Sequence, residues 1–222
     1  MRTECPQNLA DALEEVGLSW RAIERTAKQI ILFGSRAAGV EDDDSDWDLL
    51  LVGPGHTVRL GLVDLVLISG EKLESKKWLG SELAGHVAAY GVWIKGDSSW
   101  KTNVYPSQVA LERKRLKIQA RLHGLEKNWE LLGEPYRKKH FELIRRDMQR
   151  YAIMREKEPV PATPTIDAQW HADISRIDFF TKVARQCGLL STFVEQQLSN
   201  FAEEIAAENA TIRSLDQKVQ VH

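Results

Sequence analysis

The sequence predicts an α+β fold, a small mixed-sheet domain over residues 1–100 followed by an all-α helical bundle over 106–222. Two observations carry that expectation. In the first hundred residues, short apolar β-branched runs are cut by Gly, Pro and Asp clusters, the pattern of buried strands between turns. From Pro106 onward the alternation disappears and helical periodicity takes over. The charge balance divides in the same place. Residues 1–100 hold 10 Lys+Arg against 16 Asp+Glu, whereas 106–157 hold 14 basic and 7 acidic residues, so the overall net charge of −2 is a cancellation.

The first 28 residues read as an amphipathic helix, with Asn8 as a candidate cap and Leu9, Leu13, Val16, Trp20 and Ile23 near helical spacing. Residues 29–33 (QIILF) form a short buried strand ending at Gly34. A polar, Asp-rich stretch leads to Ser45 and then to a second strand over 46–52 (DWDLLLV). Residues 60–68 (LGLVDLVLI) read as a third strand, 71–89 as a helix and 92–95 (VWIK) as a fourth strand. In the second half, 107–132 and 134–157 read as helices broken at Gly133 and Pro135. The three prolines of 158–165 (EPVPATPT) make a loop or stiff linker. Two more helices are expected over 167–187 and 191–210, with a polar tail from Thr211. With 43% hydrophobic and 28% charged residues, the chain has a core to bury and is not of disordered composition. Cys5 and Cys187 are too few and too scattered for a disulfide framework or a zinc site, which fits a reducing compartment. No secretory leader and no apolar run long enough to cross a membrane is visible, so the expectation is a cytoplasmic protein without a membrane partner.

The chemistry concentrates in residues 33–64. Strand side chains alternate, so Asp46 and Asp48 aim at one face while Trp47 and Leu49 take the other. Asp64 stands alone in an apolar strand, where a carboxylate demands a partner or an ion. Three carboxylates from adjacent strands make a hard oxygen site for Mg²⁺ or Mn²⁺, which takes further ligands from water and substrate phosphates. Gly34 allows close backbone approach to a phosphate, and Ser35 adds a hydroxyl donor. Phosphate cradle plus paired metal carboxylates describes phosphoryl or nucleotidyl transfer. The bland readings stand beside these: Asp42, Asp43 and Asp44 as a solvated acidic turn, Asp64 as one half of a structural ion pair. The histidines are scattered without ligand spacing, and Trp78, Trp93, Trp129 and Trp170 read as packing anchors.

The order apolar-Gly34-Ser35, a ten-residue spacer, Asp46-x-Asp48 and a later strand Asp64 resembles the DNA polymerase β-like nucleotidyltransferase superfamily. GSRAAGVEDDDSDWDLLLV is similar to its minimal bacterial members, which read close to GSxAxG…SDxDLxV, and the likeness covers about residues 29–96. The resemblance implies that Gly34, Ser35 and Arg36 hold the nucleotide phosphates. It implies that Asp46 and Asp48 bind metal, and that Asp64 is the third ligand and the base or orienter of an acceptor hydroxyl. Ala38 stands where many small antitoxin-type members carry a second arginine, which leaves Arg36 as the guanidinium for a triphosphate. The implied donor is ATP or another NTP, with AMP transferred and pyrophosphate released.

Three acceptor classes compete. A polycationic small molecule, as in aminoglycoside nucleotidyltransferases, is disfavoured by the basic excess of 106–157. A protein hydroxyl is the acceptor for antitoxin-type members, and the Arg-x(4–6)-His signature of a fused toxin of the HEPN type is absent here. Nucleic acid ends are the third, for which Arg113, Lys114, Arg115, Arg137 and Lys138 would supply phosphate contacts. The alternatives are a solvated basic face and a catalytically silent nucleotide-binding regulatory module.

Overall fold

The computed structural model describes residues 6–172 together with Thr192 and Gln196. The helices expected over 167–187 and 191–210, the tail from Thr211, and both cysteines therefore lie wholly or largely outside the described residues. The contacts define two compact units, Met1–Arg113 with Gln149–Gln169, and Lys114–Met148 with Trp170–His222.

The first unit is built on one mixed sheet. Its strands are β1 (Gln29–Phe33), β2 (Trp47–Val52), β3 (Val58–Leu60), β4 (Val63–Ile68) and β5 (Val92–Lys95), in the spatial order β3-β4-β2-β1-β5. β1 pairs antiparallel with β2 and β5, β2 runs parallel to β4, and β3 pairs antiparallel with β4. The central strands are apolar on both faces. Leu49, Leu51, Ile30, Leu32 and Leu65 pack against Leu9, Leu13 and Ile23 of the N-terminal helices. Leu50, Val52, Ile31 and Phe33 pack with Ala84, Val87 and Trp100 on the other side.

Three elements differ from the sequence expectation, each for a local reason. The single N-terminal helix is two, α1 (Gln7–Glu15) and α2 (Trp20–Thr26), because Gly17 takes φ +76° and ends the first. Asn8 lies inside α1, and its start is at Pro6. The strand over 60–68 is the hairpin β3-β4, turning at Gly61-Leu62, where the continuous apolar spelling hides the reversal. A short helix, α3 (Gly34–Ala38), follows β1, and the helix over 71–89 is three pieces, α4 (Gly70–Leu73), α5 (Lys76–Leu79) and α6 (Glu82–Tyr90). Ser69, Ser75 and Ser81 each cap one of the last three, their hydroxyls accepting from the N–H groups of Lys72, Trp78 and Ala84.

In the second half, α7 (Gln108–Lys127) and α8 (Glu134–Arg155) occupy the expected helical stretches. The proline-rich segment is shorter as a loop than its spelling suggests. α9 starts at Thr163, since Pro164 sits in a first turn that needs no N–H from it. Val160 and Ala162 are buried, so this stretch packs as part of the sheet unit. Gln149 Nε2 donates to the Ile166 carbonyl at 3.0 Å and Arg150 Nη2 to Thr163 Oγ1 at 2.7 Å, tying α8 to α9 within the unit. Among the described residues no helix is long and apolar enough to cross a membrane.

Candidate active site

Register decides where the carboxylates meet. Asp48, one residue into β2, lies opposite Asp64 in the parallel pairing and opposite Phe33 in the antiparallel one. Asp48 and Asp64 are thus lateral neighbours on one face, next to the residue where β1 becomes the Gly34–Ser35 turn. Burial, then the negative charges of Asp64 and Asp46, push the Asp48 carboxyl up from 3.8 to about 6, against a lowering by Arg59. Asp64 and Asp46 thus both act on Asp48. Asp46 precedes β2 and is held by the Arg59 guanidinium, from β3, in a charge-assisted hydrogen bond. Among the described residues no group of three His, Cys, Asp or Glu side chains is placed to hold a metal ion as it stands.

Gly34 is locked against this pair. Its φ of +75° belongs to the left-handed region, and a Cβ there would overlap Asp48 Oδ2 and sit 2.9 Å from Asp48 Cγ. Its N–H donates to His86 Nε2 at 3.2 Å, and His86 Nδ1–H donates to the Val160 carbonyl at 2.8 Å. His86 is 8% exposed, and burial lowers its pKa from 6.5, which keeps the ring neutral. Sequence reasoning passed over His86 because it lacks ligand spacing, and its two partners lie 52 and 74 residues away. Arg36 stands on the same turn but is engaged elsewhere. Its Nε and Nη2 donate to the Ser45 carbonyl at 3.1 and 2.7 Å, and its guanidinium lies 4.3 Å from the Trp47 ring centroid. It clamps the loop that delivers Asp46 to β2. Within that loop Asp42, Asp43 and Asp44 are exposed, Asp42 closing a turn with the Ser45 hydroxyl. A cavity of about 320 Å³ in the same unit is lined by residues such as Gly85, Ala88, Tyr105 and Val160 and by none of the three carboxylates, so cavity size does not locate the chemistry.

The basic residues of the second half divide by environment. Arg113 is exposed and Arg115 half-buried. Lys114 is 7% exposed, and its ammonium donates to Asp147 Oδ1 at 3.0 Å. Lys117 and Arg121 reach the same carboxylate at 3.4 and 2.5 Å. Burial raises the pKa of Asp147, but the attraction and hydrogen bond of Lys114, with Lys117 and Arg121, bring it below 3.8 overall. Lys114 thus packs inward in its own unit and does not present a phosphate contact. The Arg137 guanidinium lies 4.6 Å from the Trp129 ring centroid; the Lys138 side chain lies outside the described residues. Asp147→Ala removes the anion on which three cations converge, and we expect it to cost about 3 kcal/mol or more in urea unfolding. Unchanged stability would show that Lys114 is not held by Asp147.

The sheet order and carboxylate register are accompanied by a decisive match: the family model for the nucleotidyltransferase domain fits residues 17–159, well over half of the chain. The chain belongs to the nucleotidyltransferase-domain family. No curated protein matches the sequence significantly. Among solved structures, this nucleotidyltransferase-family chain is similar to a nucleotidyltransferase-like protein from Exiguobacterium sibiricum 255-15, at 15% identity. That likeness covers 86% of this chain and 71% of the other, with a TM-score of 0.38. The match of residues 17–159 spans β1 to the Val160 approach, and so includes Gly34, all three carboxylates and His86.

Proposed function

We propose that this protein transfers a nucleoside monophosphate from a nucleoside triphosphate, AMP from ATP, to a hydroxyl on a protein or nucleic acid. The observation that carries the reading is Asp48 beside Asp64 in register, on the face closed by the Gly34–Ser35 turn, with the Asp48 pKa raised by burial and then by its neighbours' charge. Like-charged carboxylates gathered at partial burial are unfavourable without a cation, and hard oxygen donors suit Mg²⁺ or Mn²⁺. A bound divalent ion would supply Lewis-acid polarisation and charge neutralisation at the triphosphate. Asp48 and Asp64 would hold it. Asp46 would join them on release from Arg59, whose guanidinium is then open to phosphate oxygens.

In the transfer, the acceptor oxygen attacks the α-phosphorus in line. The bond from that phosphorus to the bridging oxygen breaks, and pyrophosphate leaves with the bonding pair. Asp64 orients the acceptor hydroxyl and receives its proton; Gly34 and Ser35 position the phosphates. A macromolecular acceptor is favoured over a polycation by the basic composition of 106–157, with exposed Arg113 and neighbouring Arg115 as its candidate contacts. An antitoxin-type role, in which a toxin supplies the hydroxyl, is the protein form of this reading.

The test is incubation with each α-labelled NTP, Mg²⁺ and cell extract, followed by separation of protein, RNA and small molecules. Label entering protein or RNA, from ATP above the other nucleotides, is the expected result. Label confined to small molecules would overturn the macromolecular acceptor. No incorporation with any NTP would overturn transfer itself, in favour of a silent nucleotide-binding module.

A further inference from the structure

The turn that faces Asp48 is held by the His86 side chain. His86, on α6, lies edge-on to Phe33 with centroids 6.2 Å apart and tilted against Tyr90 at 5.3 Å. Neither nitrogen is left over. A carbonyl only accepts, so the Val160 contact fixes the proton on Nδ1, and the bare Nε2 is left as the acceptor for Gly34 N–H. Only one tautomer satisfies both partners. At its Cα, Gly34 is closed by Asp48 Oδ2, which a Cβ would overlap. Gly34 is therefore held on two sides, by the Asp48 carboxylate at its Cα and by the His86 imidazole at its N–H. The second anchor of the same helix runs in parallel, with the Tyr90 hydroxyl donating to the Pro159 carbonyl at 3.4 Å.

We infer that His86 is a positioning residue for the Gly34–Ser35 turn, setting its distance from Asp48 through Nε2 and anchoring it to the Pro159–Val160 segment through Nδ1–H. Its effect on turnover rests on the nucleotidyl-transfer reading; its effect on the turn does not. A displaced turn misplaces the phosphates relative to the carboxylates, so NTP binding suffers before chemistry does.

Two substitutions separate the two bonds. His86→Asn keeps a donor near the Nδ1 position but is too short to accept from Gly34. His86→Gln carries an amide oxygen out to the Nε2 position. Three readouts apply: amide exchange of the Gly34 turn, KM and kcat for the NTP, and the ¹⁵N shifts of His86 in the unsubstituted protein. In His86→Asn the Gly34 amide exchanges about tenfold faster and KM rises about tenfold, with kcat changed less than threefold. In His86→Gln, which restores the acceptor for Gly34 but drops the donor to Val160, both lie between His86→Asn and wild type. The ¹⁵N spectrum shows a protonated Nδ1 and a bare Nε2. Unchanged Gly34 exchange in folded His86→Asn, equal damage in both variants, or an Nε2-protonated tautomer would each overturn the inference. The ¹⁵N measurement decides even if a variant does not fold. Should no NTP be transferred at all, the proposed reaction fails while the exchange and ¹⁵N results still decide the role of His86.

Discussion

Asp48→Asn abolishes nucleotidyl transfer, by about 10³-fold or more, and at the same time makes the metal-free protein more stable. Both effects come from the same carboxylate. Asparagine keeps the size of the side chain but removes the charge that would hold a divalent ion. The gain in stability follows from the raised pKa. In the unfolded chain Asp48 titrates near 3.8; in the fold it titrates at about 6. At pH 3 both states carry the proton and the group is neutral for stability. Between about 4 and 6 the unfolded chain has lost its proton while the fold retains it, so stability falls as pH rises through that window. Above 6 the cost is complete. With solvent screening at a partly exposed group, it amounts to about 1–2 kcal/mol. Melting of both proteins from pH 3 to 8 without metal should show the Tm advantage of Asp48→Asn opening between pH 4 and 6 and constant above. Millimolar Mg²⁺ at pH 7 should raise the Tm of wild type and not of the variant. Transfer by Asp48→Asn at the wild-type rate would remove Asp48 from the site, and a Tm difference independent of pH would refute its raised pKa.

Gly34→Ala is expected to damage both the fold and the site. Gly17 supplies its control, because both have φ near +75° and a Cβ at Gly17 meets nothing within 4 Å. Gly17→Ala thus measures backbone strain alone, about 1–2 kcal/mol. Gly34→Ala adds the displacement of Asp48, and should cost clearly more and lower transfer about 10²-fold. Shortening Asp48 makes room for the methyl, so Gly34→Ala with Asp48→Ala should be less destabilising than the sum of the two single changes. Equal costs at Gly17 and Gly34, or strict additivity, would show that the turn is not packed against Asp48.

How much of this was legible depended on distance along the chain. The strands QIILF, WDLLLV and VWIK could be read directly, because each is a short apolar run bounded by turn residues. Asp48 and Asp64 could be read as companions, since isolated carboxylates in such runs demand a use. The β3-β4 hairpin could not, because Leu60-Gly61-Leu62-Val63 spells continuous hydrophobicity, with Leu62 48% exposed at the turn. The engagement of Asp46 by Arg59 was equally hidden, as it follows from that hairpin folding Arg59 back toward β4. Lys114 and Arg113 are adjacent basic residues of one helix, yet one is buried on a carboxylate 33 residues away and the other is exposed. Local spelling carries charge and period, not which face a later helix will cover.

The Val160 carbonyl has one more consequence, for the order in which the chain becomes competent. During synthesis the sheet strands are complete at Lys95, but the acceptor for His86 Nδ1–H emerges about sixty-five residues later. At translation rates of roughly 5–20 residues per second, that is a delay of several seconds. The nascent sheet can pair in that interval, while the turn that faces Asp48 still lacks that anchor. A fragment ended where the composition changes, near residue 100, would keep every carboxylate of the site and discard that support. The unit that carries the chemistry is thus contiguous in space and discontinuous in time, and it closes only when the chain returns to it.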